Sequence, residues 1–235
     1  MKLREQILGE FQKALENQLI STSALYKEKF SDQVSEAAFS KAVSRLCQSG
    51  EILRVSKGIY CRPKKTRFGF IPPSEKEILN LFVSENKGVV VKYSLYNSLG
   101  ITTQIPKGYI VYSSVSEEQQ KQIRNITVHK YNLVFNNQTQ SIIKVLELLH
   151  DFKSIQNINL NAFLTNIELL CKQFNESVFE SVIETIRYPK WVIAFLREAL
   201  DYYHIKNTLE KYLSSLSSYN IPRMEEIYEL AQQQN

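Results

Sequence analysis

Residues 43–60 read VSRLCQSGEILRVSKGIY, and the fold turns on how this stretch is parsed. An apolar helical run stops at Gly50, and two short β-type pieces follow, each beside a lysine or arginine. Upstream, Ser35 is a side-chain acceptor placed to cap a helix that runs to about Ser49. Phe39, Val43, Leu46 and Cys47 fall on one face of that helix at 3.6-residue spacing. The opposite face carries Ser40, Lys41, Ser44, Arg45 and Gln48, short or flexible hydrogen-bonders and cations without an acid among them. A solvent-facing helix surface usually mixes in glutamates for i,i+4 pairing. This one suits a DNA major groove, where Arg forks onto guanine and Gln onto adenine. Downstream, Glu51–Val55 and Ile59–Arg62 cluster β-formers around Ser56-Lys57-Gly58, a tight hairpin with glycine available for positive φ.

Working toward the N-terminus, Leu3, Ile7, Leu8, Phe11 and Leu15 recur at helical spacing, which predicts a first helix. Ser21 caps a second through about Lys29, anchored by Leu25 and Phe30, and Ser31-Asp32-Gln33 reads as a turn. Three helices and a β-hairpin in that order describe a winged helix-turn-helix, expected over residues 1–67. In that reading the third helix meets base edges, and the hairpin lays Arg54 and Lys57 against neighbouring phosphates. Tyr60 packs the wing onto the helix. Pro63-Lys64-Lys65-Thr66-Arg67 reads as a basic linker, with Arg62, Lys64, Lys65 and Arg67 as further phosphate contacts.

Charge distribution sharpens this. The net charge is +5, yet residues 1–70 hold 13 Lys/Arg against 7 Asp/Glu, and residues 71–235 hold 16 against 17. From Lys41 to Arg67 eight basic residues face one acid, Glu51. Such local asymmetry is the footprint of a polyanion-binding module, and double-stranded DNA is the partner expected.

Toward the C-terminus, Ser74-Glu75-Lys76-Glu77 forms a capping box that opens a helix to about Ser84. Val89–Val91 reads as a buried strand, Tyr93–Leu99 as a short helix closed by Gly100, and Tyr109–Val115 and Ile126–Tyr131 as strands. Residues 68–137 are thus a small α+β segment. From Thr139 the pattern is helical, with Ile142, Leu146 and Leu149 on one face and Phe163, Ile167 and Leu170 on another. Tyr188-Pro189-Lys190-Trp191 puts proline in the first turn of a long helix whose stripe is Trp191, Phe195, Leu196, Ala199 and Tyr203. Asn220-Ile221-Pro222 sets off a last helix. Residues 138–235 are expected to form a helical bundle, either separate or joined to 68–137 in one domain. The whole is α+β and mostly helical.

Enzyme chemistry finds little support in the residues. Two-metal phosphoryl transfer needs converging carboxylates, but the chain has three aspartates (Asp32, Asp151 and Asp201) and no Asp-x-Asp. The histidines His129, His150 and His204 are single, with no paired metal spacing, and no P-loop is present. Cys47, Cys61 and Cys171 form no CxxC pair, which fits free thiols in a reducing cytoplasm. No run of 18 apolar residues and no secretory leader is present, so the chain is expected neither to span a membrane nor to be exported. No catalytic residue, metal or cofactor is expected.

Two stretches, SRLCQSGEILRVSKGIYCRPKKTRFGFIPPSEKEI and YSLYNSLGITTQIPKGYIVYSS, resemble the AbiEi-type antitoxins and transcriptional regulators. The resemblance rests on Ser44-Arg45-Leu46, Gly50, Ile52-Leu53-Arg54-Val55, Gly58-Ile59-Tyr60, Pro63, Asn97-Ser98-Leu99-Gly100 and Thr102-Thr103-Gln104-Ile105-Pro106. It covers roughly residues 1–130. Where many members of that family carry a Thr-Gly, this chain has Lys92-Tyr93-Ser94. The resemblance implies the antitoxin of a two-gene type IV toxin–antitoxin or phage-defence system. Its winged helix would repress its own operon at inverted repeats, a geometry compatible with a dimer on DNA. Its C-terminal part would counteract a nucleotidyltransferase-like toxin. The alternative from a different class is a protein-interaction antitoxin or adaptor whose helical tail binds a partner, with DNA binding secondary.

Overall fold

The computed structural model describes residues 2–214 and 217–234. Its chain divides between Leu81 and Phe82 into two units, each with its own contacts.

The first unit is organised around the helix parsed above. In chain order it runs α1 (Leu3–Lys13), β1 (Leu19–Ser21), α2 (Thr22–Lys29), α3 (Glu36–Gln48), β2 (Leu53–Ser56), β3 (Ile59–Cys61), β4 (Lys64–Thr66) and β5 (Gly69–Ile71). Helix α3 starts because the Ser35 hydroxyl accepts from the Ala38 amide at 3.3 Å, and it stops at Gly50, whose φ of +72° suits glycine. Phe39, Ala42, Val43 and Leu46 bury one side of it against Ile7 and Phe11 of α1 and Leu25 of α2. Full burial of each large side chain is worth about 1.5–3 kcal/mol. Phe39 also packs its ring on Tyr26 and Phe30 at centroid distances of 5.3 and 5.2 Å. Helix α1 ends at Lys13, short of Leu15, which is exposed rather than part of the apolar stripe.

β2 and β3 pair antiparallel as the wing, with Arg54 opposite Tyr60, an irregularity at Val55, and Lys57-Gly58 at the turn. β1 adds to the far side of β3, giving the order β1-β3-β2. Thr22 ties that edge to the wing turn, its amide and hydroxyl both donating to the Gly58 carbonyl at 2.9 and 3.1 Å. Tyr60 packs on the helical core. Together these elements are a winged helix-turn-helix. Pro63–Arg67 is no linker: Lys64–Thr66 pairs with Gly69–Ile71 as a second antiparallel hairpin. Its base is tied down by buried Asn17, which takes the Arg62 carbonyl through its amide at 2.8 Å and accepts the Lys64 amide at 3.2 Å.

α4 (Glu75–Val83) opens on the expected capping box: the Glu77 amide donates to the Ser74 hydroxyl, and the Ser74 amide donates back to the Glu77 carboxylate at 2.6 Å. The second unit continues with β6 (Gly88–Val91), α5 (Tyr93–Ser98), β7 (Tyr109–Ser113), β8 (Gln120–Ile123) and β9 (Ile126–Lys130). These strands form one sheet of order β6-β7-β9-β8, with β7 and β9 parallel and the other pairs antiparallel. The helices are α6 (Asn137–Asp151), α7 (Leu160–Cys171), α8 (Glu176–Thr185), α9 (Lys190–Tyr202) and α10 (Met224–Gln233). Sheet and helices share one hydrophobic core, from Val89, Tyr96 and Tyr112 through to Ile227.

α6 is buried nearly all round, as expected for a helix packed on every side. It nevertheless carries Glu147, only 2% exposed. The Tyr112 and Tyr188 hydroxyls donate to its Oε1 at 3.1 and 2.8 Å, and Lys92 Nζ stands 2.7 Å from its Oε2. One turn on, Asp151 accepts from Tyr96 at 2.8 Å and pairs with Lys92 at 3.2 Å. Burial pulls the Lys92 ammonium down, but Glu147 and Asp151 more than offset it, and its pKa ends above the ordinary lysine value. Burial pushes Asp151 up, and Lys92, His150 and Tyr96 outweigh it, leaving the carboxyl below its ordinary range. Lys92 has φ +63° and ψ −149°, a region almost reserved for glycine, so the backbone is strained where it delivers the cation.

Candidate nucleic-acid interface

Ser40, Lys41, Ser44, Arg45 and Gln48 are all exposed on α3, spread over an arc of roughly 140° at 100° per residue. The only acid on the helix, Glu36, lies in its first turn, where it complements the helix dipole. Among the described residues, Lys41, Arg45 and Arg54 make no ion pair, so their charge is available to a ligand. Glu51, the one acid between Lys41 and Arg67, is taken by Arg4 Nη2 at 2.8 Å. From Ile52 to Ser74 no acid occurs, while Arg54, Lys57, Arg62, Lys64, Lys65 and Arg67 do. Arg54 and Lys57 are exposed on the wing, and Lys64, Lys65 and Arg67 are exposed on the second hairpin.

Arg62 departs from the phosphate-contact expectation. It is half-buried, with Nη1 donating to the Gln12 carbonyl at 3.2 Å and Nε enclosed, so it fastens the end of α1 to the strand that follows the wing. Ten of the eleven expected contacts therefore remain on exposed surface.

Two aromatic residues of the second hairpin escaped the sequence reading. Phe68 sits at the turn, 86% exposed, with the Arg67 guanidinium 4.7 Å from its ring centre. Phe70 lies opposite Lys65, whose ammonium is 5.7 Å from the ring. The turn is held by the Thr66 hydroxyl, which donates to the Gly69 carbonyl at 2.9 Å. The available signal was Gly69, a turn-former between the polar trio Lys64-Lys65-Thr66 and the apolar pair Phe70-Ile71.

The residues that carried the AbiEi resemblance in the second unit hold a loop. Asn97 Nδ2 donates to the Thr102 and Gln104 carbonyls at 3.3 and 3.2 Å, and Thr102 Oγ1 donates to the Gln156 carbonyl at 3.0 Å. Among the described residues no three His, Cys, Asp or Glu side chains are grouped to hold a metal ion. Cys47 is half-buried, and Cys61 and Cys171 are buried. Burial pushes the Cys171 thiol up to about 12. No helix is long and apolar enough to cross a membrane, among the described residues.

A winged helix with a cationic, acid-poor face, followed by an α+β unit with its own core, defines the class of protein. The chain belongs to DUF6088, a family of unknown function whose model matches residues 12–162. No curated protein matches it. Among solved structures, the RV2827C protein from Mycobacterium tuberculosis is similar at 10% identity and a TM-score of 0.39, over 86% of this chain and 78% of that one.

Proposed function

We propose that this protein is a sequence-specific DNA-binding repressor, docking α3 in the major groove and the wing on adjacent phosphates. The observation that carries the reading is the exposed face Ser40, Lys41, Ser44, Arg45 and Gln48, free of carboxylates. An ordinary solvated helix face would carry acids to balance its cations. Arg45 and Gln48 supply the side chains that fork onto guanine and adenine; Arg54 and Lys57 supply charge to the flanks.

Neutralising about six phosphates makes duplex affinity fall by roughly three orders of magnitude between 50 and 200 mM salt. Fluorescence anisotropy on duplexes selected from a randomised pool reads this directly. A flat salt response rules the electrostatic docking out.

The antitoxin role is the second part of the proposal and rests on the AbiEi resemblance of roughly residues 1–130. In it the repressor autoregulates a two-gene operon in the cytoplasm, and the second unit counteracts a nucleotidyltransferase-like toxin. Co-expression with such a toxin encoded beside this gene should restore growth. Restored growth by a chain lacking α6 to α10 would remove those helices from that task.

A further inference from the structure

The second hairpin poses a problem for the fold. Every residue of its two strands is exposed, Phe70 and Ile71 to 50% and 44%, so it buries little, and a lone two-stranded hairpin is marginal in water. It is nonetheless anchored at its base through Asn17. Its flank is positioned too: the Phe70 ring reaches within 4.0 Å of where a side-chain carbon would stand at Gly50, just beyond the end of α3. A scattered exposed apolar residue needs no explanation. Here the most exposed aromatic ring stands at the tip, with an arginine stacked on it and two lysines behind.

We infer that the β4–β5 hairpin is a minor-groove wedge: Phe68 inserts between base pairs of a duplex while Arg67, Lys65 and Lys64 hold the flanking phosphates and groove floor. The inference rests on the DNA-binding reading above and adds a second contact that bends the DNA. The physical fit is specific. Minor-groove proteins pair an apolar wedge with basic side chains, and partial unstacking kinks the duplex toward the major groove by roughly 20–90°. The minor groove is about 6 Å wide, too narrow for a two-stranded ribbon, so only the turn, with Phe68 at its tip, enters it while the strands stay outside. The acid-free run from Ile52 to Ser74 leaves no carboxylate on the hairpin to repel the phosphates. The cation–π contacts place Arg67 and Lys65 beside the rings in the free protein; on docking Arg67 leaves the face of Phe68, which the bases take, and moves to the flanking phosphate.

The test uses the full chain and a selected duplex carrying a donor–acceptor dye pair at its ends and 2-aminopurine at successive steps. Wild-type protein should bend the duplex and brighten 2-aminopurine at one step beside the α3 site. Phe68→Ala should abolish both signals and weaken binding roughly five- to a hundredfold, the range of a lost aromatic–base stack. Phe68→Leu, which keeps an apolar wedge, should restore much of the bend. Ile105→Ala, removing another highly exposed apolar side chain, should change nothing. Phe68 is so exposed that its truncation leaves folding intact, which far-UV circular dichroism checks. A wild-type complex that binds tightly but stays straight, or a Phe68→Ala complex that bends equally, overturns the wedge and leaves the repressor reading standing. Absence of any salt-sensitive duplex binding brings both down.

Discussion

The two units of this chain handle charge in opposite ways. Residues 1–81 hold fourteen Lys and Arg against nine Asp and Glu, whereas residues 82–235 hold fifteen of each. Among the described residues, the first leaves Lys41, Arg45 and Arg54 without carboxylate partners on exposed surface. The second draws Lys92, Glu147 and Asp151 into its core and satisfies them with three tyrosine hydroxyls. An exposed unpaired cation contributes little to folding, and its free energy is realised on meeting an anion. A buried pair is committed to the fold, because removing one partner strands the other in low dielectric. Substitutions in the two units should therefore separate cleanly into effects on binding and effects on stability.

The largest effect is expected at Lys92. Lys92→Met keeps much of the stem and removes the ammonium, leaving buried Glu147 and half-buried Asp151 without that cation. Urea denaturation should show a loss of about 3–5 kcal/mol, offset in part if the carboxyls take up protons. The strained backbone at Lys92 remains, so relief of strain cannot mask the loss. A change below about 1 kcal/mol would mean that the network is no more than surface-grade pairing. Arg45→Ala is the mirror case: stability within about 0.5 kcal/mol of wild type, but duplex binding weakened by about 1–3 kcal/mol with relaxed preference at one base pair. A uniform loss over all sequences would demote Arg45 to a phosphate contact.

The same contrast explains what the sequence revealed. Ser21, Ser35 and Ser74 announced helix starts, and Gly50 and Gly100 announced stops, because capping is local chemistry written in one or two residues. The acid-poor face of α3 was legible for the same reason: it depends only on helical periodicity and residue type. β1 escaped because Leu19-Ile20-Ser21 is extended only by virtue of pairing with Ile59–Cys61, some forty residues on. β8 escaped because Gln120–Ile123 is a polar edge strand, half of it exposed. α8 escaped although Asn175 caps it by accepting the Val178 amide at 3.1 Å. The second hairpin was hidden by its composition, since lysines and arginines next to a proline look like a linker until Gly69 is seen to close a turn. Arg62 could not be told from its exposed neighbours, because what buries it is the end of a helix fifty residues earlier. The Lys92–Glu147 pair is of the same kind, a contact 55 residues apart that no local pattern encodes.

The smallest effect at neutral pH, and the one that divides the units by another criterion, is the response to acid. No histidine lies in residues 1–81, while His129, His150 and His204 all lie beyond Leu81. Histidine is the side chain whose ordinary pKa falls between pH 5 and 8, so duplex affinity should be nearly flat from about pH 6 to 8. The contributions of Asp151 and Lys92 to stability change outside that window. The Asp151 carboxyl is held below its unfolded pKa in the native state, so its contribution is present above the ordinary carboxylate range and fades as pH falls through the depressed native value. Lys92 runs the other way: its pKa is raised on folding, so its contribution is complete below the ordinary lysine value and is lost as pH climbs through the raised one. Between these limits both contributions are constant, and the acid limb of the urea midpoints should carry a shoulder that Asp151→Asn removes. If that shoulder persists unchanged in Asp151→Asn, the acid sensitivity belongs to other carboxylates, and the buried network is not what separates the second unit from the first.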